Sequence, residues 1–131
     1  MNKRIYLGAL TALMMLASTG TNAADSQKSP GCFSARDFEN WKAPDDKTIL
    51  IRVRTNKFYR LDLSGKCPEL LYPDAFLITK FHGSDWICSP LDWDLKVAQT
   101  GDHNGGVGCI VKNMTLLSAE EVSALPAKLR P

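Results

Sequence analysis

The feature that most constrains this chain is a set of four cysteines that all follow an N-terminal export signal. Two basic residues come first, then an apolar run from Ile5 to Leu16, then the small residues Ala23 and Ala24. The run is too short to span a membrane, so the pattern predicts a secretory signal peptide over residues 1–24, cleaved after Ala23 or Ala24. We therefore expect an exported protein with no membrane anchor after cleavage.

The cysteines Cys32, Cys67, Cys88 and Cys109 would then mature in an oxidising compartment, where disulfides persist. Successive cysteines have 34, 20 and 20 residues between them. This spacing lacks the close pairs of a thiol redox motif, a haem attachment site or a structural zinc site. The pattern predicts two structural disulfides, with no metal and no cofactor.

Four cysteines allow three pairings, and their spacing alone does not choose among them. If a first short helix runs down and the strands then alternate in direction, Cys32 and Cys88 share one end of the domain. Cys67 and Cys109 share the other end. This argument favours the pairs Cys32–Cys88 and Cys67–Cys109, and the other two connectivities stay open.

Length and charge indicate one small domain with a limited range of partners. Residues 25–31 are polar and predict a disordered lead-in, and residues 32–131 form a single β-rich domain. The chain has 16 Lys and Arg against 14 Asp and Glu, and removing Lys3 and Arg4 with the signal makes the two counts equal. A neutral domain with interleaved charges argues against binding to nucleic acid or to anionic lipid.

Polar and apolar residues alternate along much of the domain, as they do in half-buried strands. Five strands are predicted: Thr48–Arg54, Lys57–Leu63, Ala75–Phe81, Asp92–Val97 and Cys109–Leu116. Two short helices are predicted, Ala35–Trp41 behind an N-cap at Ser34 and a second from the Ser118 capping box to Leu125. We expect a mainly β (α+β) fold: a small disulfide-stapled antiparallel sheet or partly open barrel of about five strands with two peripheral helices.

Two residue pairs suggest catalysis, and each has a simpler explanation. Cys88 with His82 would form a nucleophilic dyad, but only if Cys88 stays reduced, which an oxidising compartment opposes. Asp92 and Asp94 at strand spacing would face one side, as the paired acids of a glycosidase do. Alternating Asp on the solvent face of a strand is the commoner explanation. The sequence therefore predicts no catalytic residue.

Trp86 is the candidate binding residue. It lies between Asp85 and Ile87 after a Gly-Ser step. If exposed beside a groove, it would anchor a peptide or a sugar. If buried, it would cover the Cys88 disulfide instead.

Several blocks of the chain resemble one family of small exported proteins of Gram-negative bacteria, catalogued only as a domain of unknown function. The blocks are Cys32-Phe33, Trp41 with Asp45-Asp46, Tyr59-Arg60-Leu61 leading to Cys67-Pro68, Gly83 to Cys88, and Cys109 followed by Leu117-Ser118. The resemblance covers roughly Cys32 to the C-terminus. It implies a periplasmic location and a framework role for all four cysteines, and it assigns no catalytic residue.

Together these observations favour a non-catalytic periplasmic domain that binds a protein or other envelope partner or supports the envelope. One alternative is a small secreted enzyme or thiol-redox protein using Cys88 with His82, or Asp92 with Asp94. Another is an exported inhibitor of a lytic enzyme. The ligand and the oligomeric state do not follow from the sequence.

Overall fold

The computed structural model describes residues 31–80 and 84–131. The predicted signal peptide, nearly all of the lead-in, and His82 lie outside these residues. Within them the protein is mainly β, with nine strands, one α-helix and short 3₁₀ turns. The strands are β1 (Phe33–Ser34), β2 (Phe38–Asp45), β3 (Thr48–Val53), β4 (Lys57–Leu63), β5 (Ala75–Lys80), β6 (Trp86–Ile87), β7 (Asp94–Gln99), β8 (Val107–Gly108) and β9 (Val111–Leu116), and the helix is α1 (Ala119–Ala124).

The strands form three antiparallel sheets. The largest has the order β2-β3-β4-β9, the second β5-β7-β8, and the smallest pairs β1 with β6. The two residues Cys109 and Ile110 separate β8 from β9. Cys109 N donates a hydrogen bond to Leu95 O, and Ile110 O accepts one from Ser64 N, each at 2.9 Å. The chain thus passes directly from the second sheet to the largest one. The described strands do not close into a barrel, and they are more numerous than the five predicted.

The hairpin of β3 and β4 follows the predicted alternation. Tyr59, Leu61 and Leu63 of β4 are buried, while Arg60 is exposed. Every residue of β3 pairs with β4 in an unbroken register, from Thr48 opposite Asp62 to Val53 opposite Lys57. The alternation is clear in β4, whereas both faces of β3 are covered at its start, since Thr48 and Leu50 are buried as well.

One hydrophobic core takes side chains from all three sheets. The Phe33 ring lies 4.9 Å from the Tyr59 ring and 6.1 Å from the Trp93 ring, centroid to centroid. The Tyr59 hydroxyl donates to the carbonyl oxygen of Gly31 at 3.2 Å, and burial raises the pKa of this phenol. Phe33 and Tyr59 therefore join the smallest sheet to the largest one.

The first predicted helix is wrong beyond its first turn. Ser34 does cap the segment, since its hydroxyl accepts from Arg36 N at 3.3 Å, but the turn is a 3₁₀ turn that ends at Asp37. The chain then continues as β2, in which Trp41 pairs with Ile51 of β3. Pairing with the most apolar strand of the domain outweighs the local helix signal, because propensity is a weak prior beside tertiary contacts.

The later predictions are right in type and shifted at their ends. Trp93, Leu95 and Val97 point inward and are buried, as predicted, but β7 begins at Asp94. The predicted last strand begins at Val111 instead of Cys109.

The C-terminal helix α1 is confirmed. Its capping box is complete, because Ser118 accepts from Glu121 N at 3.2 Å and Glu121 accepts from Ser118 N at 2.7 Å. Leu125 is its C-cap, as the following Pro126 predicts. In the described part of the chain, no helix combines the length and the apolar character that a membrane span requires.

The turn between β7 and β8 depends on two glycines that differ in one respect. Asp102 shapes the turn, since its carboxylate accepts from Asn104 N at 2.7 Å and from Gly106 N at 3.2 Å. Gly105 and Gly106 both have positive φ, +78° and +80°. A Cβ on Gly105 would meet nothing within 4 Å, whereas one on Gly106 would lie 2.8 Å from Val97 O.

We therefore expect Gly106→Ala to destabilise the protein more than Gly105→Ala. Both substitutions carry the left-handed backbone penalty of about 1–2 kcal/mol, and only the first adds a backbone clash. Urea unfolding of the two variants measures the difference. Equal losses would show that the turn moves away from Val97 at no cost.

Candidate binding site

The smallest sheet determines where Trp86 points. In β6, Ile87 pairs with Phe33 and is fully buried, whereas Trp86 pairs with Ser34. Because successive residues of a strand face opposite sides, burial of Ile87 directs Trp86 outward. The Trp86 side chain is 55% exposed, so it is not a core residue.

Trp86 borders a groove of about 190 Å³, here called the Trp86 groove. The groove lies between the N-terminal segment and the turn that joins β3 to β4. Its lining residues are Cys32, Phe33, Asp37, Val53, Arg54, Lys57 and Trp86.

The segment that carries Trp86 is held from both sides. Ala35 N donates to Asp85 O at 2.7 Å, and the Arg36 guanidinium pairs with the Asp85 carboxylate at 3.1 Å. Trp86 N donates to the Ser84 hydroxyl at 3.2 Å. The disulfide between Cys32 and Cys88 joins the same two segments just beyond the strand pair. The backbone beneath the indole is therefore held by several independent constraints.

The opposite wall contains an unusual backbone. Arg54 has φ of 53° and is the one non-glycine residue with positive φ in the part of the chain that the structure describes. Two contacts hold it there: Arg54 N donates to Asp37 O at 2.8 Å, and its guanidinium pairs with the Asp37 carboxylate at 2.9 Å. Such a conformation costs energy and persists where the surroundings enforce it.

The charges of the groove do not cancel. Asp37 is neutralised by Arg54. Lys57 is exposed, and no carboxylate within residues 31–80 and 84–131 pairs with it. The groove thus presents one uncompensated cation beside an exposed indole.

The four cysteines form two disulfides, Cys32–Cys88 and Cys67–Cys109, which is the pairing that the strand-direction argument favoured. The argument assumed a helix after Cys32 that is absent, so its geometry was only partly right. Cys67 and Cys109 lie in the core, whereas Cys32 and Cys88 are exposed. In this state Cys88 has no thiol to act as a nucleophile with His82.

Asp92 and Asp94 are not two alternate positions of one strand, so that interpretation of the spacing is wrong. Pro90 opens a 3₁₀ turn that ends at Asp92, and Asp94 is the first residue of β7. The Asp92 carboxylate accepts from Cys88 N and Ser89 N, each at 2.8 Å. These hydrogen bonds hold the pKa of Asp92 below its usual value. Asp92 closes a turn.

Sequence reasoning missed a second groove, of about 320 Å³, between the 3₁₀ turn before β7 and the segment joining β8 to β9. Leu91 and Ile110 border it and are 89% and 74% exposed. Trp93 also lines this groove. Its indole N–H is buried and has no hydrogen-bond partner among the described residues. The placement of Ile110 inside a predicted strand concealed this groove.

No group of three or more His, Cys, Asp and Glu side chains among the described residues is arranged to hold a metal ion. The chain belongs to a family of unknown function, DUF6491, whose model matches residues 1–130. No curated protein and no solved structure matches it. The sequence-level resemblance to such a family is thereby confirmed, and the family assigns no activity.

Proposed function

We propose that this member of DUF6491 is an exported, non-catalytic binding module that holds an acidic segment of a partner protein in the Trp86 groove. The observation that carries the proposal is the exposed indole of Trp86 on a strand whose next residue is fully buried. A large apolar ring held in solvent is a typical anchor of a protein interface.

Rigidity supports this assignment. The Cys32–Cys88 disulfide and the ion pairs of Asp85 and Asp37 hold both walls of the groove before a partner arrives. A preorganised site loses little conformational entropy on binding, so a small contact area yields more affinity.

Charge supports the choice of an acidic partner. Lys57 is the uncompensated cation of the groove, and a carboxylate placed against it would gain a charge-assisted hydrogen bond. We therefore assign to the partner an apolar side chain stacked on Trp86 and a neighbouring Asp or Glu directed at Lys57. The signal-like N-terminus and the two disulfides support a periplasmic setting.

The rival functions have less support. The Cys88 thiol is consumed in a disulfide, and the Asp92 carboxylate is engaged by two backbone N–H groups. An exported inhibitor of a lytic enzyme would be one case of a protein-binding module, and no described residue favours it over other protein partners.

The test is selection of random displayed peptides on the immobilised full chain, followed by measurement of their dissociation constants. We expect the selected peptides to be rich in Asp and Glu and to lose affinity about 30-fold or more with Trp86→Ala, the loss typical of a central anchor. Lys57→Ala should weaken them several-fold and reduce their sensitivity to salt.

The matched control is Ile110→Ala, which removes an exposed apolar side chain from the groove beside Leu91 and should leave affinity unchanged. Trp86→Ala and Ile110→Ala should both keep the thermal unfolding midpoint of the wild type, since each of these two side chains is mostly in solvent. Peptides that bind Trp86→Ala and wild type equally, or that carry no acidic bias, would contradict the proposed site.

A further inference from the structure

Two of the outer strands, β2 of the largest sheet and β5 of the second, differ in how they are protected against pairing with another strand. At one outer edge, β2 carries Pro44, two interruptions of its register with β3, and the exposed charges Glu39 and Lys42. These are the features with which proteins prevent edge-to-edge association. This edge is closed to a partner strand.

The outer strand β5 has fewer of these features, since its one charge is the exposed Lys80 at its end. It has no proline, and its register with β7 is unbroken from Ala75 to Lys80. Its first five residues carry no charge. Among the described residues its one neighbouring strand is β7, and no described strand pairs with its other side. Such an edge favours addition of another strand.

The outward face of β5 is apolar and exposed. Phe76 is 42% exposed, and Ile78 on the same face is partly exposed. Leu71 and Tyr72, which precede the strand, are 55% and 50% exposed. A run of exposed apolar side chains beside an unprotected edge is typical of an interface.

We propose that β5 pairs with β5 of a second copy of this chain, in an antiparallel arrangement with Leu77 on the two-fold axis. Phe76, Ile78 and Lys80 alternate along the outward face, and Asp74 is the turn residue just before the strand, two positions before Phe76. With Leu77 opposite itself, Phe76 lies opposite Ile78, and Asp74 lies opposite Lys80, each pair occurring twice. The segment is thus complementary to itself in both charge and apolar character.

The neighbouring registers lack this property. Side chains on one face of β5 are an even number of positions apart. If the outward faces of both copies lie on the same side of the joined sheet, each outward residue must therefore pair with another outward residue. The two-fold axis then relates one residue to its own copy, and does not lie between two neighbouring residues. An axis at Phe76 places Asp74 opposite Ile78, and an axis at Ile78 places Phe76 opposite Lys80. Only the Leu77 register opposes the acid to the base, and cross-strand pairs of opposite charge stabilise a sheet.

The test measures the oligomeric state of the full chain by sedimentation velocity over a range of concentrations. We expect a reversible dimer and no larger species from this contact, because a two-fold pairing of β5 with itself is closed. Asp74→Lys and Lys80→Asp each create two like-charge pairs and should weaken the dimer about tenfold. Mixing the two variants should restore association, since every pair in the mixed dimer is again one acid with one base.

The mixture separates contacts between copies from effects within one chain. Asp74 accepts from Thr100 N at 3.2 Å, and Lys80 lies opposite Asp94 of β7, so each variant also changes its own fold locally. Mixing cannot repair such local changes. Lys42→Asp on the protected edge is the matched control and should not affect the dimer.

A chain that stays monomeric into the millimolar range would overturn the proposal. So would a dimer that both charge variants leave unchanged, or one that the mixture fails to restore. The Trp86 groove is not involved in this pairing, so either proposal can fail without the other.

Discussion

Replacing Cys67 and Cys109 together by alanine should lower the free energy of unfolding by about 4 kcal/mol from loop entropy alone, and by more once lost packing is added. The bond links residues 42 apart in sequence, and its loss frees that loop in the unfolded chain. Both cysteines are also in the core, 2% and 6% exposed, so shorter side chains leave a gap. A domain of this size has little stability to spare. Urea unfolding at neutral pH is the measurement.

The Cys32/Cys88 double alanine variant is the control. Its bond links residues 56 apart in sequence. The loop-entropy loss predicted for this variant is therefore within about 0.5 kcal/mol of the loop-entropy loss of the Cys67/Cys109 variant. These two residues are exposed, and no core packing is lost with them. The excess loss of the Cys67/Cys109 variant therefore measures packing. A loss below about 1 kcal/mol for that variant would mean that the reduced chain stays constrained when unfolded.

The second large effect is expected from Phe33→Ala, which should cost about 3–5 kcal/mol. Phe33 is 3% exposed and lies between the rings of Tyr59 and Trp93, so its loss opens a cavity where the smallest sheet meets the core. The N-terminal segment should then pack less tightly against β4, while the Cys32–Cys88 disulfide still joins it to the end of β6. Chemical unfolding, with backbone hydrogen exchange at Ile87, measures both effects.

Phe76→Ala is the matched control for this prediction. It removes the same ring from the outward face of β5, where 42% of the residue is already in solvent, so we expect a smaller loss of about 1–2 kcal/mol in the monomer. If the two variants lost equal stability, Phe33 would not be a core residue.

Local pattern identified the parts of the fold in which one short segment carries its own signal. Strand β4 alternates between exposed and buried residues, and the Ser118 capping box with Pro126 marks both ends of α1. The same kind of signal failed at Ser34, where the cap is real but the helix behind it is not. A cap determines the conformation of one turn only. Strand β2 is instead stabilised by pairing with β3, in which Trp41 lies opposite Ile51, 10 residues further along the chain.

The candidate site depended still more on long-range contacts. The sequence identified Trp86 and left open whether it was buried or exposed. Pairing of Ile87 with Phe33 decides that question, because it buries one residue of β6 and turns its neighbour outward. The strained turn at Arg54 and the free cation at Lys57 had no local signal. The Asp92–Asp94 pair was misplaced because Pro90 begins a turn there.

By itself the sequence determined the class of this protein: a small β-rich domain with four cysteines in two bonds, because composition, period-2 patterning and cysteine spacing are local properties. Only the tertiary structure decided which strands lie at the edges, which side of β6 meets solvent, and what surrounds Trp86. These depend on contacts between residues such as Ser34 and Asp85, 51 positions apart, which no local pattern encodes.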